Sequence, residues 1–330
     1  MTRVDYDVIG IGNAIVDVLS HADDAFLAAN GIEKGGMTLI DTDRAEALYA
    51  RMGPGTEISG GSAANTMAGI ASLGGRAAYI GKVRDDQLGE VFAHDIRASG
   101  VRFATPPATS GAPTARCLIL VSPDAQRSMN TFLGACVDLG PEDVIESEIA
   151  AAQVTYLEGY LWDPPRAKEA FLKAAKAARK AGRQVSLSLS DAFCVNRYRK
   201  EFLDLVTGHV DILFANETEI LALFETASFD EAVKAVRATG TMAVLTRGAA
   251  GAGVVTRDGM ITVPAAPVTK VVDTTGAGDL FAAGFLYGYT NGRSLEDSAR
   301  IGAVAAAEII SHVGARPEVA LAGLVGPKLV

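Results

Sequence analysis

The chain has 330 residues, of which 49% are hydrophobic and 21% charged, with 12 prolines. That composition excludes disordered and collagen-like polymers, and the length accommodates one large α/β domain or a domain with an appendage. A formal charge of −9 argues against a nucleic-acid partner, which calls for a basic face, while leaving room for a local anion pocket.

The first strand is expected at residues 4–10, with no basic segment and apolar stretch ahead of it. No run reaches the ~18–20 apolar residues of a membrane span; the stretch from Ile301 to Ile310 is short and contains Glu308. A soluble cytoplasmic protein with no membrane partner is the expectation. Residues 14–41 and 101–133 carry short extended runs, Met37–Ile40 and Cys117–Val121, with no long helical pattern between them. They are expected to form a small β lid inserted twice into a core of residues 1–13, 42–100 and 134–330. Such a lid suits chemistry that must exclude water. Its free sheet edge leaves monomer and homodimer both open.

Beyond residue 150 short apolar runs alternate with amphipathic ones. Strands are expected at Val154–Leu157, Val185–Leu189, Val210–Phe214, Met242–Thr246 and Val268–Val272. Between them fall helices opened by Pro164–Pro165 and stopped by Gly182, around Arg197–Thr207, from the Asn216 cap to Phe224, and over Phe229–Thr239. This order predicts a three-layer α/β/α core around a mainly parallel sheet.

One turn carries chemistry. After Val268–Val272 the chain reads Asp273-Thr274-Thr275-Gly276-Ala277-Gly278-Asp279 and continues with apolar residues at helical spacing. Glycines at a helix start let the backbone approach an anion, and the free N–H groups favour one there. Asp279 beside such a site is unfavourable for plain anion binding. It fits a general base, or equally a helix cap with a tight turn before it. Asp273 is either a turn-former or a ligand for a monovalent cation. No G-x-x-x-x-G-K-[ST] motif is present, and the opening Gly10-Ile11-Gly12-Asn13-Ala14-Ile15 lacks the sixth small residue and the following helix of a dinucleotide fingerprint. Cys117, Cys136 and Cys194 are widely spaced and read as reduced, partly buried thiols, and the four histidines have no metal-ligand spacing.

Four segments in this order resemble the ribokinase-like (PfkB) carbohydrate kinase family: Gly12-Asn13 with Asp17, Gly60-Gly61-Ser62-Ala63-Ala64-Asn65 through Gly74-Gly75, Asn216-Glu217-Thr218-Glu219, and the Asp273–Asp279 turn. The resemblance covers essentially the whole chain and is greatest to the family's adenosine kinases. It implies ATP-dependent transfer to the 5′-hydroxyl of a nucleoside, adenosine above others, with a sugar such as ribose or fructose as the alternative acceptor and a silent nucleoside sensor behind both. It makes Asp279 the base, Gly276, Ala277 and Gly278 the anion hole, and Arg127 an arginine reaching the phosphates. Asn13, Asp17, Gly60, Gly61 and Asn65 hold the sugar in this reading. Met37, Leu39, Met129, Tyr160 and Phe193 flank the base. Asn216 and Glu219 organise Mg2+ through water, beside or instead of a plain capping box. Thr246, Gly248 and Gly251 lie along ATP, with Asp273 and Thr275 near a monovalent cation, K+. Met37, Ala63-Ala64 and Arg84 depart from the family pattern, and these departures bear on the choice of acceptor rather than on phosphoryl transfer.

Overall fold

Buried on both faces, a strand of a parallel sheet is apolar along most of its length, and β1 (Tyr6–Ile11) is such a strand from Val8 onward, with the buried Asp7 before it paired to Arg76. Its Val8 joins one core with Met67, Leu280 and Phe285, while Ile9 and Ile11 join a second with Leu157, Phe171 and Leu187. A computed structural model describes residues 3–124 and 126–326; position 125 and the outermost ends of the expected core ranges, residues 1–2 and 327–330, lie outside the described residues.

After β1 come β2 (Ile15–His21), α1 (Asp24–Ala29), β3 (Met37–Leu39), α2 (Thr42–Tyr49) and β4 (Gly55–Gly60). Next are α3 (Ser62–Ser72), β5 (Ala77–Ile80), α4 (Gln87–Ala98), β6 (Arg102–Phe103), β7 (Ala115–Val121) and β8 (Arg127–Phe132). The regular alternation follows with α5 (Glu146–Ala150), β9 (Ala152–Glu158), α6 (Pro165–Lys180), β10 (Gln184–Ser188), α7 (Ala192–Gly208) and β11 (Ile212–Asn216). It ends with α8 (Glu217–Phe224), α9 (Phe229–Thr239), β12 (Met242–Thr246), β13 (Ala252–Val255), β14 (Met260–Val263), α10 (Ala277–Thr290) and α11 (Leu295–Ile309).

Nine strands form the main sheet in the order β14-β13-β12-β11-β10-β9-β1-β5-β6. All its pairings from β12 to β6 are parallel, and β13 and β14 close one edge antiparallel. The carboxyl ends of β1, β9, β11 and β12 open on one crevice, where parallel sheets place ligands. The second sheet, in the order β3-β8-β7-β2-β4, lies over that crevice as a lid.

The sheets divide the chain differently from the expected lid boundaries. β4 pairs antiparallel with β2, so it belongs with the second sheet, whereas the expected boundaries place residues 42–100 in the core. Thr56, Glu57 and Ser59 interrupt any apolar run there, so the strand has no hydrophobic signature of its own. Conversely β6, inside the expected second lid insertion, pairs with β5 of the main sheet. The stretch Val268–Val272 is not a strand. β14 already forms the sheet edge, Val271 is 52% exposed, and Val272 donates its N–H to Ile310 O in a loop. The Gly-rich turn is therefore entered from a loop rather than from a strand.

Candidate active site

Gly276 caps α10 with φ +78°, a conformation that favours glycine, and a Cβ there would come within 3.0 Å of Ala315 Cβ. Ala277 spends its N–H on Thr274 O at 3.2 Å. The N–H groups of Gly276, Gly278 and Asp279 have no hydrogen-bond partner among the described residues, and the missing Cβ of Gly278 leaves open space. The helix start is thus equipped for an anion by two glycines more than by Ala277.

Asp279 lies in the first turn of α10. Ser62 donates its hydroxyl to one carboxylate oxygen at 2.6 Å, and Asn65 Nδ2 donates to the other at 3.0 Å. Both donors come from the first turn of α3. Burial raises the Asp279 pKa above the usual carboxylate range, and the Ser62 and Asn65 bonds together with the Arg316 charge oppose that rise. The side chain is no helix cap: it makes no cap hydrogen bond and faces the cleft.

Asp17, on β2, faces the same cleft and accepts no hydrogen bond from the described residues. Burial pushes its pKa up to about 6 despite the opposing Arg316 and Arg127 charges. Gly60 packs so closely that a Cβ would overlap the Asp17 carboxylate, and one on Gly61 (φ +96°) would overlap the Asn13 carbonyl. Asn13 itself does not point freely into the cleft. Its N–H and Nδ2 donate to Glu158 Oε1 at 3.3 and 2.8 Å, while Ala63 N–H donates to Glu158 Oε2 at 2.8 Å. Burial pushes Glu158 up to about 7.

At the other end Asn216 and Glu219 form the full capping box. Glu219 N–H donates to Asn216 Oδ1 at 2.9 Å, and Asn216 N–H and Nδ2 donate back to the Glu219 carboxylate at 2.9 and 2.7 Å. Glu219 still lines the cleft, and burial raises its pKa to about 7, an electrostatic cost that a nearby cation relieves. Among the described residues no three His, Cys, Asp or Glu side chains group closely enough to bind a metal directly. The donor set therefore suits a hydrated Mg2+ held through water. It does not suit K+ at Asp273. There Arg127 Nη1 donates to Asp273 Oδ2 at 2.5 Å and Gly314 N–H to the same oxygen at 3.0 Å. Thr275 fills the other oxygen with its N–H and hydroxyl, at 3.0 and 2.7 Å. A buried guanidinium stands where the cation was expected.

That pair also alters the expected position of Arg127. Its side chain is tied to Asp273 rather than free, with Nε and Nη2 buried and without partners among the described residues. Thr246 reaches the cleft, but Gly248 and Gly251 do not line it. Gly251 turns at φ +85° with no room for a Cβ against Val263 O, which is a structural turn.

The cleft measures about 680 Å³. Met37, Leu39 and Met129 enter it from the lid and Tyr160 and Phe193 from the core; Phe193 is 69% exposed, under the Arg197 guanidinium at 4.8 Å. Two participants escaped the sequence reading. Glu158 stood in plain view, one charge at the carboxyl end of an apolar strand. Arg316, in the loop after α11, had no motif to announce it. The three cysteines are free and buried, and Cys117 lines the cleft.

The pfkB family carbohydrate kinase model matches residues 32–320. The chain is similar to the adenosine kinase of Sinorhizobium meliloti at 57% identity, with a TM-score of 0.90 over 98% of this chain and 99% of that one. It is similar also to a probable sugar kinase of Rhizobium etli, at 54% identity and TM-score 0.92 over the full length of both. The adenosine kinase of Saccharomyces cerevisiae is 28% identical across 93% of this chain and 95% of its own. The family reading and the cleft agree: this chain belongs to the pfkB family of carbohydrate kinases and is a phosphotransferase acting on a hydroxyl group.

Proposed function

We propose that the enzyme transfers the γ-phosphoryl group of ATP to the 5′-hydroxyl of a nucleoside, adenosine before others. One observation carries the reading: Asp279, held between Ser62 and Asn65, shares a cleft with the unpaired carboxylate of Asp17 and with apolar walls on both sides. A carboxylate with no internal donors suits a vicinal diol, and the Met37, Leu39 and Phe193 walls suit a purine. The 57% identity to an adenosine kinase supports the same acceptor.

Asp279 accepts the proton of the 5′-hydroxyl as its oxygen bonds to the γ-phosphorus. The bond from that phosphorus to the β–γ bridging oxygen breaks, and ADP leaves. The N–H groups of Gly276 and Gly278 face the equatorial oxygens of the group in transfer. Asn216 and Glu219 would hold magnesium through water, and the metal would supply positive charge to the phosphates. Asn13, fixed by Glu158, and Asn65 orient the sugar.

A sugar as acceptor is the second reading, and the 54% identity to a probable sugar kinase supports it. A coupled ADP-release assay over adenosine, inosine, guanosine, ribose and fructose, with and without magnesium, separates the two. Turnover on adenosine is expected, dependent on magnesium. Turnover confined to a free sugar sinks the nucleoside reading.

A further inference from the structure

The chain crosses from lid to core at Gly60-Gly61, between β4 and α3, and one side chain spans that crossing. Arg316 donates through Nε and Nη2 to Ser59 O at 3.0 and 2.8 Å, and through Nη2 to Ser59 Oγ at 2.9 Å. Through Nη1 it donates to Ala64 O at 2.9 Å. Ser59 is the lid side of the glycine pair and Ala64 the core side. Ser59 is fixed in turn by Asp95, whose Oδ2 accepts its N–H at 2.7 Å and its hydroxyl at 2.6 Å.

We propose that Arg316 is a positioning residue of the phosphotransfer site: its planar guanidinium sets the separation of Ser59 and Ala64 across the lid hinge, and its charge faces Asp17 and Asp279. The proposal rests on the phosphotransfer reading above. Both consequences follow from connectivity. Gly60, next to Ser59, packs on the Asp17 carboxylate. Ser62 and Asn65, on either side of Ala64, are the two donors to Asp279. A hinge held at another angle would displace the diol acceptor and the base's partners together. Only a rigid fork of donors reaches both carbonyls; a lysine ammonium keeps the charge without the span.

The charge acts among several others. Facing Asp279 are Tyr156 and Glu158 from β9, Tyr160 just after it, Glu219 from α8, Asp17 from β2 and Arg316. Arg127 and Cys117 face Asp17 from β8 and β7. Among the described residues that face the base Arg316 is the cation, and it lowers the pKa of Asp17 and Asp279 alike; Arg316 itself also faces Asp95 and Tyr79.

The test is the pH profile of kcat/KM for wild type, Arg316→Gln and Arg316→Lys on the acceptor that wild type uses. For Arg316→Gln the acid limb is expected about one pH unit higher, so that activity falls by up to ~10-fold on the acid side of the wild-type limb and approaches that of wild type well above it. Arg316→Lys, which keeps the charge, is expected to shift the limb less than the glutamine variant does while raising acceptor KM ~5-fold or more, with a loss of kcat that is the same at every pH. An equal loss at every pH in the glutamine variant overturns the charge role. Should that variant not fold, an unchanged KM in the lysine variant overturns the hinge role. Wild type that phosphorylates nothing would instead overturn the underlying reading.

Discussion

A carboxylate becomes a base by its neighbours, and Asp279 has two hydrogen-bond donors and an arginine charge to keep it ionised against burial. Asp279→Asn preserves the shape but removes the proton acceptor. Its kcat is expected to fall ~10²-fold or more, the order of lost general-base catalysis, with nucleoside affinity by calorimetry little changed; near-normal turnover would remove Asp279 from the mechanism. Asp17 acts differently, by binding. Asp17→Asn is expected to raise acceptor KM by ~10-fold or more with a smaller change in kcat, since it weakens ground state and transition state together. Equal losses in kcat and kcat/KM would place Asp17 in the chemical step. Most of these side chains were legible because short Gly-rich and acidic motifs constrain local backbone: Gly276 and Gly61 hold φ +78° and +96° that few other residues adopt. Glu158 and Arg316 were not, since each acts through partners about 95 to 257 residues distant in sequence, and spacing along a chain carries no trace of such contacts.

At the scale of elements, α10 must bring its first turn to the anion site, and its packing on α11 leaves no slack. A Cβ on Gly302 would lie 2.7 Å from Phe281 O, and one on Gly284 would lie 2.6 Å from Gly302 Cα. Gly302→Ala is expected to force the helices apart and cost about 1–3 kcal/mol, the range for overpacked cores, seen as a lowered denaturation midpoint with an unchanged m-value. An unshifted midpoint would mean that the pair yields more easily than its backbone contacts imply. The alternation of strands and helices after residue 150 was readable because the buried parallel strands are mostly apolar while the helices are striped. Readability failed at the lid and at the loop before the turn. Gly55–Gly60 is a polar strand defined by its pairing with β2, and Val268–Val272 is an apolar run left in a loop with Val271 half exposed. Hydrophobicity marks burial well and edges poorly.

The whole molecule concentrates acid in one cleft. Asp17 stands near pKa 6 and Glu158 and Glu219 near 7, each raised first by burial. A carboxyl whose folded pKa lies above its unfolded value binds more protons when folded. Its stabilising contribution is complete below the ordinary carboxylate pKa and is lost as pH rises through 6 and 7. Wild-type Tm is therefore expected to fall relative to that of Glu158→Gln as pH is raised from about 5 to 8; parallel Tm curves would show that Glu158 ionises normally. The charge is kept in spite of its cost because a cleft lined by carboxylates is prepared for hydroxyl donors and a cation.

The central claim is that this cleft phosphorylates a nucleoside at its 5′-oxygen with Asp279 as base. Phosphorus NMR of the products from adenosine and magnesium ATP, run with wild type and with Asp279→Asn, tests it most directly. The account predicts AMP and ADP in equal amounts from wild type and a trace of either from the variant. A phosphate on any other oxygen, ADP formed while adenosine is returned unchanged, or AMP formed equally fast by both proteins would contradict it.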